Sequence, residues 1–145
     1  MPLSVGDSAP NFTAKDANGN TVSLSSCAGK PVVIYFYPKD DTSGCAKEAC
    51  GFRDNYAQYL SKGVTVFGVS MDDEASHQKF TEKFNLPFPL LVDTDGALTK
   101  AFDVDGGGHS KRVTYVIDGS GKISQVYTTI NTETHATDIL AEMAS

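Results

Sequence analysis

Two cysteines, Cys45 and Cys50, lie five positions apart in the part of the chain best suited to chemistry. They follow residues 31–37, a continuous run of β-branched and aromatic side chains that is typical of a central strand buried on both faces. A helical apolar pattern begins at Cys45, which is therefore predicted in the first helical turn, at the carboxyl end of that strand. The unpaired N–H groups and partial positive charge of a first turn favour a thiolate, the nucleophilic form of cysteine.

Two residues that precede Cys45 are suited to assist such a thiolate. The hydroxyl of Thr42 can accept a hydrogen bond from a backbone N–H of the turn, as a helix cap does, and can donate to an oxygen or sulfur atom in the site. Pro38 fixes the backbone as it leaves the strand and shields one side of the site from water. Taken alone, however, two cysteines at this spacing are more often small core residues of a helix.

The remaining candidate side chains do not form a second site in the sequence. Cys27 lies in a loop and is interpreted as a thiol without a catalytic role, and three cysteines are too few and odd in number for a disulfide framework. Such usage is typical of a reducing compartment. The three histidines show no metal-ligand spacing and are predicted to be exposed: His77, His109 and His135.

Three further polar or glycine-rich segments have structural interpretations. Gly106–Gly108 is predicted to be a flexible loop, because no strand-to-helix pattern surrounds it as in a phosphate-binding loop. Residues 93–96 lack the remaining ligands of a calcium loop and are interpreted as a turn. Residues 72–74 are interpreted as the solvated start of a helix.

The elements that must position the cysteines follow from hydrophobic periodicity. The order of strands and helices predicts an α/β sheet with helices on both faces. An Asn-Gly pair at 18–19 predicts a hairpin between two weak strands near the N-terminus. The predicted strands are 12–14, 22–24, 32–37, 64–70, 90–92, 112–118 and 122–127, and the predicted helices are 45–62, 74–85 and 134–143.

Length and charge limit the class of protein. A chain of 145 residues fits one domain, predicted over 1–145. The net charge is −6 and the basic residues are scattered, so nucleic-acid binding is not expected. No apolar run reaches the ~18 residues that a membrane span needs. The first residues lack the basic and apolar regions of a signal peptide, so the protein is expected to stay where it is made.

The residues around Cys45 carry a specific resemblance. Pro38, Thr42 and Cys45 match the Pro-x-x-x-Thr-x-x-Cys motif of peroxiredoxins. Residues 44–54 resemble the bacterioferritin comigratory protein branch of that family, also called peroxiredoxin Q. The resemblance extends over nearly the whole chain, including residues 6–12, 29–30, 68–70, 112 and 114–118.

Two positions depart from the pattern of that branch. Ser43 stands where a proline is usual, and Ala46 stands where a threonine is usual. Neither change removes a group that the chemistry needs. Ser43 is expected to make the loop more mobile, because its backbone is not restricted by a ring.

The resemblance implies a role for each matching residue. Cys45 would be the peroxidatic cysteine and Cys50 the resolving cysteine, and the two would form a redox-active disulfide. Thr42 and Arg112 would bind the peroxide oxygens and steady the thiolate. Glu48 would hold Arg112 in place.

The resemblance also implies a fold, a substrate and a partner. The fold would be a thioredoxin fold with an N-terminal β-hairpin extension. The substrate would be hydrogen peroxide or an organic hydroperoxide, and thioredoxin or a similar dithiol would regenerate the enzyme. No cofactor or metal is expected, because sulfur does the redox work. A monomer is expected, in the cytoplasm or, if a transit peptide has been removed, in an organelle stroma.

Rival interpretations remain at this point. A disulfide reductase of the thioredoxin type would need Cys-x-x-Cys, and a relative of the glutathione peroxidases would need a tryptophan that this chain lacks. A redox sensor or holdase that uses Cys45 as a switch stays open as an added role. Cys50 could be a buried small residue, and Arg112 a surface charge at a strand edge.

Overall fold

One mixed sheet organises the chain. The computed structural model describes residues 3–27 and 29–143. In that part of the chain the sheet has seven strands, in the order β2-β1-β5-β4-β3-β6-β7. The strands are β1 Thr13–Asp16, β2 Thr21–Ser23, β3 Val32–Phe36, β4 Thr65–Ser70, β5 Leu90–Val92, β6 Val113–Ile117 and β7 Ile123–Tyr127.

Helices cover both faces of this sheet, as the sequence predicted. They are α1 Ser43–Asp54, α2 Tyr56–Ser61, α3 Glu74–Phe84, α4 Ala97–Ala101 and α5 His135–Met143, with a short 3₁₀ turn at Ser25–Cys27. One face of β3 contributes to a core with α1, α2, α3 and α5, and its other face to a core with α4. None of the helices described is long and apolar enough to cross a membrane.

Strand β3 places the loop at residues 37–42 beside the start of β6. All five of its residues are buried, because their side chains alternate between the cores on the two faces of the sheet. The strand pairs in parallel with β4 and antiparallel with β6. In that register Phe36, at the carboxyl end of β3, lies opposite Val113, the first residue of β6. The pairing therefore brings the loop that leads to α1 next to Arg112. The middle strand of the seven is β4 rather than β3, because the N-terminal hairpin adds two strands on the β5 side.

The N-terminal hairpin is confirmed. Strands β1 and β2 pair antiparallel, and β1 extends the sheet through Lys15 and Asp16, which lie opposite Val92 and Leu91 of β5. The arrangement is an α/β thioredoxin-like fold with a hairpin extension, as expected.

Two helical predictions need correction. The helix predicted over 45–62 is two helices, interrupted at Asn55. The Asn55 side chain donates to the carbonyl of Gly51 at 2.8 Å and so competes for the acceptor that continues the helix. Helix α4 was not predicted, and it begins where the buried carboxylate of Asp93 accepts from the backbone N–H groups of Leu98 and Thr99, both at 2.9 Å.

Candidate active site

Cys45 lies in the first turn of α1, as predicted. Thr42 is the residue before the first turn, so Cys45 is the third residue of the helix, and its side chain is buried. Nη2 of Arg112 donates a hydrogen bond to Sγ of Cys45 at 3.1 Å. A guanidinium group and a helix N-terminus thus both face the sulfur, which are the surroundings typical of reactive cysteines.

The Arg112 guanidinium bridges Cys45 and Glu48. While Nη2 faces the sulfur, Nη1 donates to Oε1 of Glu48 at 2.7 Å. The Glu48 side chain is 0% exposed, whereas that of Arg112 is 23% exposed. Gly44 makes room for this bridge, since a Cβ atom there would lie 3.3 Å from Nη2 of Arg112. Three residues from the predicted set therefore form one contiguous group.

Burial and charge act in opposite directions on Glu48. Burial raises the pKa of this carboxyl to about 7, although the charge and hydrogen bond of Arg112 act to lower it. Near neutral pH the site therefore holds a carboxyl that is poised between its charged and neutral forms.

Thr42 occupies the predicted position, but its hydroxyl does not cap the helix. It donates instead to the carbonyl of Lys39 at 3.1 Å, while the Thr42 carbonyl accepts from the N–H of Ala46 at 2.8 Å. In the described part of the chain, no hydrogen bond joins the Thr42 hydroxyl to Cys45 or Arg112. Pro38 directly follows the buried Tyr37, where the chain turns away from the sheet.

Cys50 lies further along α1 and is partly buried. Burial raises the pKa of its thiol, opposed by Arg53. Cys45 and Cys50 are both reduced. In a regular helix, residues five apart have Cα atoms roughly 8–9 Å from each other and on different sides.

A buried polar network beneath the loop was not predicted from the sequence. The carboxylate of Asp40 accepts from the hydroxyl of Tyr37 at 2.5 Å and that of Ser76 at 2.8 Å, and it contacts Nδ1 of His77 at 2.7 Å. The backbone N–H of Asp40 donates to Asp72 at 2.7 Å. These contacts tie the loop between Pro38 and Thr42 to β4 and α3.

The prediction that the histidines are exposed is wrong for two of the three. His77 is fully buried, with Nε2 at 2.8 Å from the carbonyl of Leu91, and His135 is also buried. Only His109 is exposed. One signal could have identified His77: it lies three residues before Phe80, on the inward stripe of α3.

The interpretation of residues 72–74 as a solvated helix start holds for Asp73 and Glu74, which are exposed at the start of α3, but not for the half-buried Asp72. Asp72 accepts from the hydroxyl of Ser70 at 2.6 Å as well as from the loop, and Asp73 caps α3 through the N–H of Ser76 at 2.8 Å. Glu74 is the exposed acid of the first turn of α3.

Replacing Asp40 by alanine is expected to destabilise the protein strongly. Tyr37, Ser76 and His77 would each lose a buried partner, and breaking a buried pair of this kind costs about 3–5 kcal/mol. Urea unfolding measures the effect. The control is Asp54→Ala, an exposed carboxylate paired with Arg53, which is expected to cost under about 1 kcal/mol. Similar losses in the two variants would contradict a structural role for the network.

Comparison with known proteins identifies the family of this chain. The AhpC/TSA family matches residues 5–126. Peroxiredoxin Q, chloroplastic, from Triticum aestivum is 48% identical over 128 residues, which are 86% of this chain and 59% of that protein. This chain thus spans about three fifths of the length of the plant relatives that it matches. Putative peroxiredoxin bcp from Coxiella burnetii (strain RSA 493 / Nine Mile phase I) is 41% identical over 151 aligned positions, covering 99% of this chain and 100% of that protein.

The fold has a close counterpart among solved structures. Bacterioferritin comigratory protein from Xanthomonas campestris, studied for its alkyl peroxide reduction activity, superposes with a TM-score of 0.86 at 32% identity. The match covers 92% of this chain and 90% of that one. With the family match over most of its length and these relatives, the chain belongs to the AhpC/TSA family, in the branch of peroxiredoxin Q and bacterioferritin comigratory protein.

Proposed function

We propose that this protein is a thiol peroxidase that reduces hydrogen peroxide and organic hydroperoxides, with Cys45 as the attacking residue. The observation that carries the proposal is the buried thiol in the first turn of α1, with Nη2 of Arg112 at 3.1 Å from its sulfur. The alkyl peroxide reduction activity studied for the Xanthomonas campestris relative supports the substrate class.

In the first step, the Cys45 thiolate donates an electron pair to one peroxide oxygen. The O–O bond breaks, and its electron pair stays with the second oxygen, which takes up a proton and departs as water or an alcohol. Sulfur is oxidised to a sulfenic acid and the peroxide is reduced. Arg112 stabilises the charge that moves onto the departing oxygen. The exposed Thr42 hydroxyl rotates away from its present acceptor, the carbonyl of Lys39, and donates a hydrogen bond to the peroxide.

In the second step, the Cys50 thiol condenses with the sulfenic acid and releases water, which forms the Cys45–Cys50 disulfide. An external dithiol, for which thioredoxin is the proposed source, then reduces this disulfide by exchange. The raised pKa of Cys50 suits this order of events, because Cys50 stays a thiol while Cys45 reacts.

Forming this disulfide requires α1 to open. A disulfide needs Cα atoms within ~7 Å, less than the roughly 8–9 Å that a regular helix sets for this spacing. The reduced enzyme needs the intact first turn, because that turn favours the thiolate. The reduced chain is helical from Ser43. Residues 42–52 are therefore expected to be locally unwound when Cys45 and Cys50 are bonded. Gly44, Gly51 and the unrestricted Ser43 are placed to ease the change.

Amide hydrogen exchange on reduced and oxidised protein measures the expected unwinding. Protection over 45–52 is expected to fall in the oxidised form, whereas the N–H groups of β3 serve as the internal control and keep theirs. Equal protection over 45–52 in the two forms, with the disulfide verified by mass, would contradict the proposed coupling.

A steady-state assay with thioredoxin and its reductase tests the whole proposal. Peroxide-dependent consumption of reducing equivalents is the expected result, with hydrogen peroxide and with an organic hydroperoxide. Failure of both peroxides to oxidise Cys45 in a single turnover would overturn the peroxidase function. Oxidation without recycling would overturn only the choice of reductant.

We also infer that the protein acts as a monomer, in the cytoplasm or an organelle stroma. Two observations support these inferences. The plant relatives are named chloroplastic, and among the described residues only two large apolar side chains, Val5 and Leu60, are exposed. Sedimentation equilibrium on reduced and oxidised protein tests the oligomeric state.

A further inference from the structure

One oxygen of Glu48 lacks a hydrogen-bond partner. Oε1 accepts from Arg112, but Oε2 is buried and has no hydrogen-bond partner among the described residues. A buried carboxyl oxygen without a partner is costly, so the groups that face it influence the charge of the acid. The basic side chain that faces Oε2 is His135, with Nε2 at 3.8 Å.

His135 is held firmly at the start of α5. It is 2% exposed, and its Nε2 lies 2.8 Å from the hydroxyl of Thr114 on β6. Its ring packs edge-on against Phe52 at 5.7 Å and Tyr127 at 5.3 Å between ring centroids. Burial lowers the pKa of His135 to about 4, with Asp138 acting against this shift and Arg112 adding to it. The imidazole is therefore neutral near pH 7, and Nε2 can accept or donate according to the tautomer.

Two acids, Cys45 and Glu48, compete for the guanidinium of Arg112. Arg112 faces both Cys45 and Glu48. Burial raises the pKa of the Tyr35 phenol on β3, and the charge of Glu48 adds to this shift, so the phenol is neutral near pH 7. When Glu48 is ionised, the positive charge of Arg112 interacts with two anions, the Glu48 carboxylate and the Cys45 thiolate. A protonated Glu48 still accepts from Nη1 through its carbonyl oxygen and leaves that charge to Cys45.

We propose that His135 is a positioning residue of this site: its imidazole, which lies 3.8 Å from Oε2 of Glu48 without a hydrogen bond to it, sets whether that carboxyl faces Arg112 as an anion or as a neutral acid. The effect of His135 on Cys45 rests on the proposed peroxidase function. It gives α5, which begins 90 positions after Cys45, a part in the reactivity of the thiol.

Two substitutions of His135 are expected to shift the titration of Glu48 in opposite directions. His135→Phe keeps a ring against Phe52 and Tyr127 but makes the surroundings of Oε2 apolar, which disfavours the anion and raises the midpoint. His135→Gln offers an amide donor, which favours the anion and lowers the midpoint. Shifts of about one pH unit each are expected for a contact of this kind.

Carbon-13 NMR of the carboxyl groups measures these midpoints without any peroxide, and Glu48→Gln identifies the resonance. The exposed His109 provides the control, since His109→Gln should leave the midpoint unchanged. If either His135 variant does not fold, the other decides. No shift, or a shift of the same sign in both variants, would overturn the proposal.

The rate of Cys45 oxidation by hydrogen peroxide, measured against pH, tests the consequence. The profile is expected to move to lower pH in His135→Phe and to higher pH in His135→Gln. Both displacements should vanish in a Glu48→Gln background, because His135 acts through that carboxyl. Displacements that persist there, or profiles that coincide with wild type despite shifted Glu48 midpoints, would overturn the link to Cys45. A wild type that does not react with peroxide would instead refute the proposed function, and the NMR result would still decide the role of His135 at Glu48.

Discussion

Replacing Cys45 by serine is expected to abolish peroxide reduction completely. The hydroxyl of serine can still accept from Nη2 of Arg112, so the fold and the charge pair with Glu48 are expected to survive. A hydroxyl, however, is not ionised at neutral pH and has no accessible oxidation state corresponding to a sulfenic acid. Rapid-mixing measurement of peroxide consumption, with the circular dichroism spectrum as a check of folding, tests this result.

Cys50→Ser is the matched variant of the same chemical change on the same helix. It is expected to keep the first oxidation of Cys45 at close to the wild-type rate and to lose efficient recycling by thioredoxin. Without a resolving thiol, the sulfenic acid should persist and overoxidise more readily. Mass spectrometry distinguishes these species. Equal loss of first-turnover consumption in the two variants would mean that the roles are misassigned.

Replacing Arg112 by alanine is expected to slow the attack on peroxide by about 10²–10³-fold, equivalent to ~3 kcal/mol in the barrier. The substitution removes the donor that lies 3.1 Å from the sulfur and that would stabilise the departing oxygen. Stopped-flow measurement of the second-order rate constant with hydrogen peroxide gives the effect. Lys111→Ala is the control, because it removes the same charge from the adjacent exposed position.

The fold of Arg112→Ala is expected to survive, because Glu48 can take up a proton. Without Arg112, the positive charge and the hydrogen bond that lower the pKa of Glu48 are lost, so burial raises that pKa further. The native state then binds a proton more tightly than the unfolded state does, so stability falls as pH rises above the ordinary value of 4.5. Urea unfolding at several pH values should show a steeper loss than in wild type. In the stopped-flow experiment, a second-order rate constant of Arg112→Ala equal to that of wild type would mean that Arg112 has no part in the reaction with peroxide.

Local physical chemistry was sufficient to predict much of the framework. The apolar side chains of residues 31–37 are removed from water only if both faces of the strand are covered, and all residues of β3 are buried. The Asn-Gly pair at 18–19 specifies a tight turn through its own backbone preferences, and β1 pairs with β2 around it. Cys45 follows a strong strand and opens a helical pattern, so its place in the first turn of α1 was also decided by neighbours in the sequence.

The resemblance to peroxiredoxins identified residues whose proximity could not be predicted from local sequence patterns. Arg112 lies 67 positions from Cys45 and 64 from Glu48, and no hydrophobic period relates them. The antiparallel register of β3 and β6 is what makes them neighbours. The contact of the Thr42 hydroxyl with the carbonyl of Lys39 could not be predicted from either source, because that acceptor is a property of the folded loop.

What only the tertiary structure decided is the state of the polar side chains in the interior. Residue type reports only the average cost of burying a histidine or an aspartate, and on that basis His77, His135 and Asp40 belong at the surface. Each is buried because a partner distant in sequence repays the lost hydration: Asp40 for His77 across 37 positions, and Thr114 for His135 across 21. The sequence by itself determined the strands, the hairpin and the helix that presents Cys45, since these depend on residues close along the chain. The charge environment of that cysteine depends on contacts that exist only once the sheet has closed.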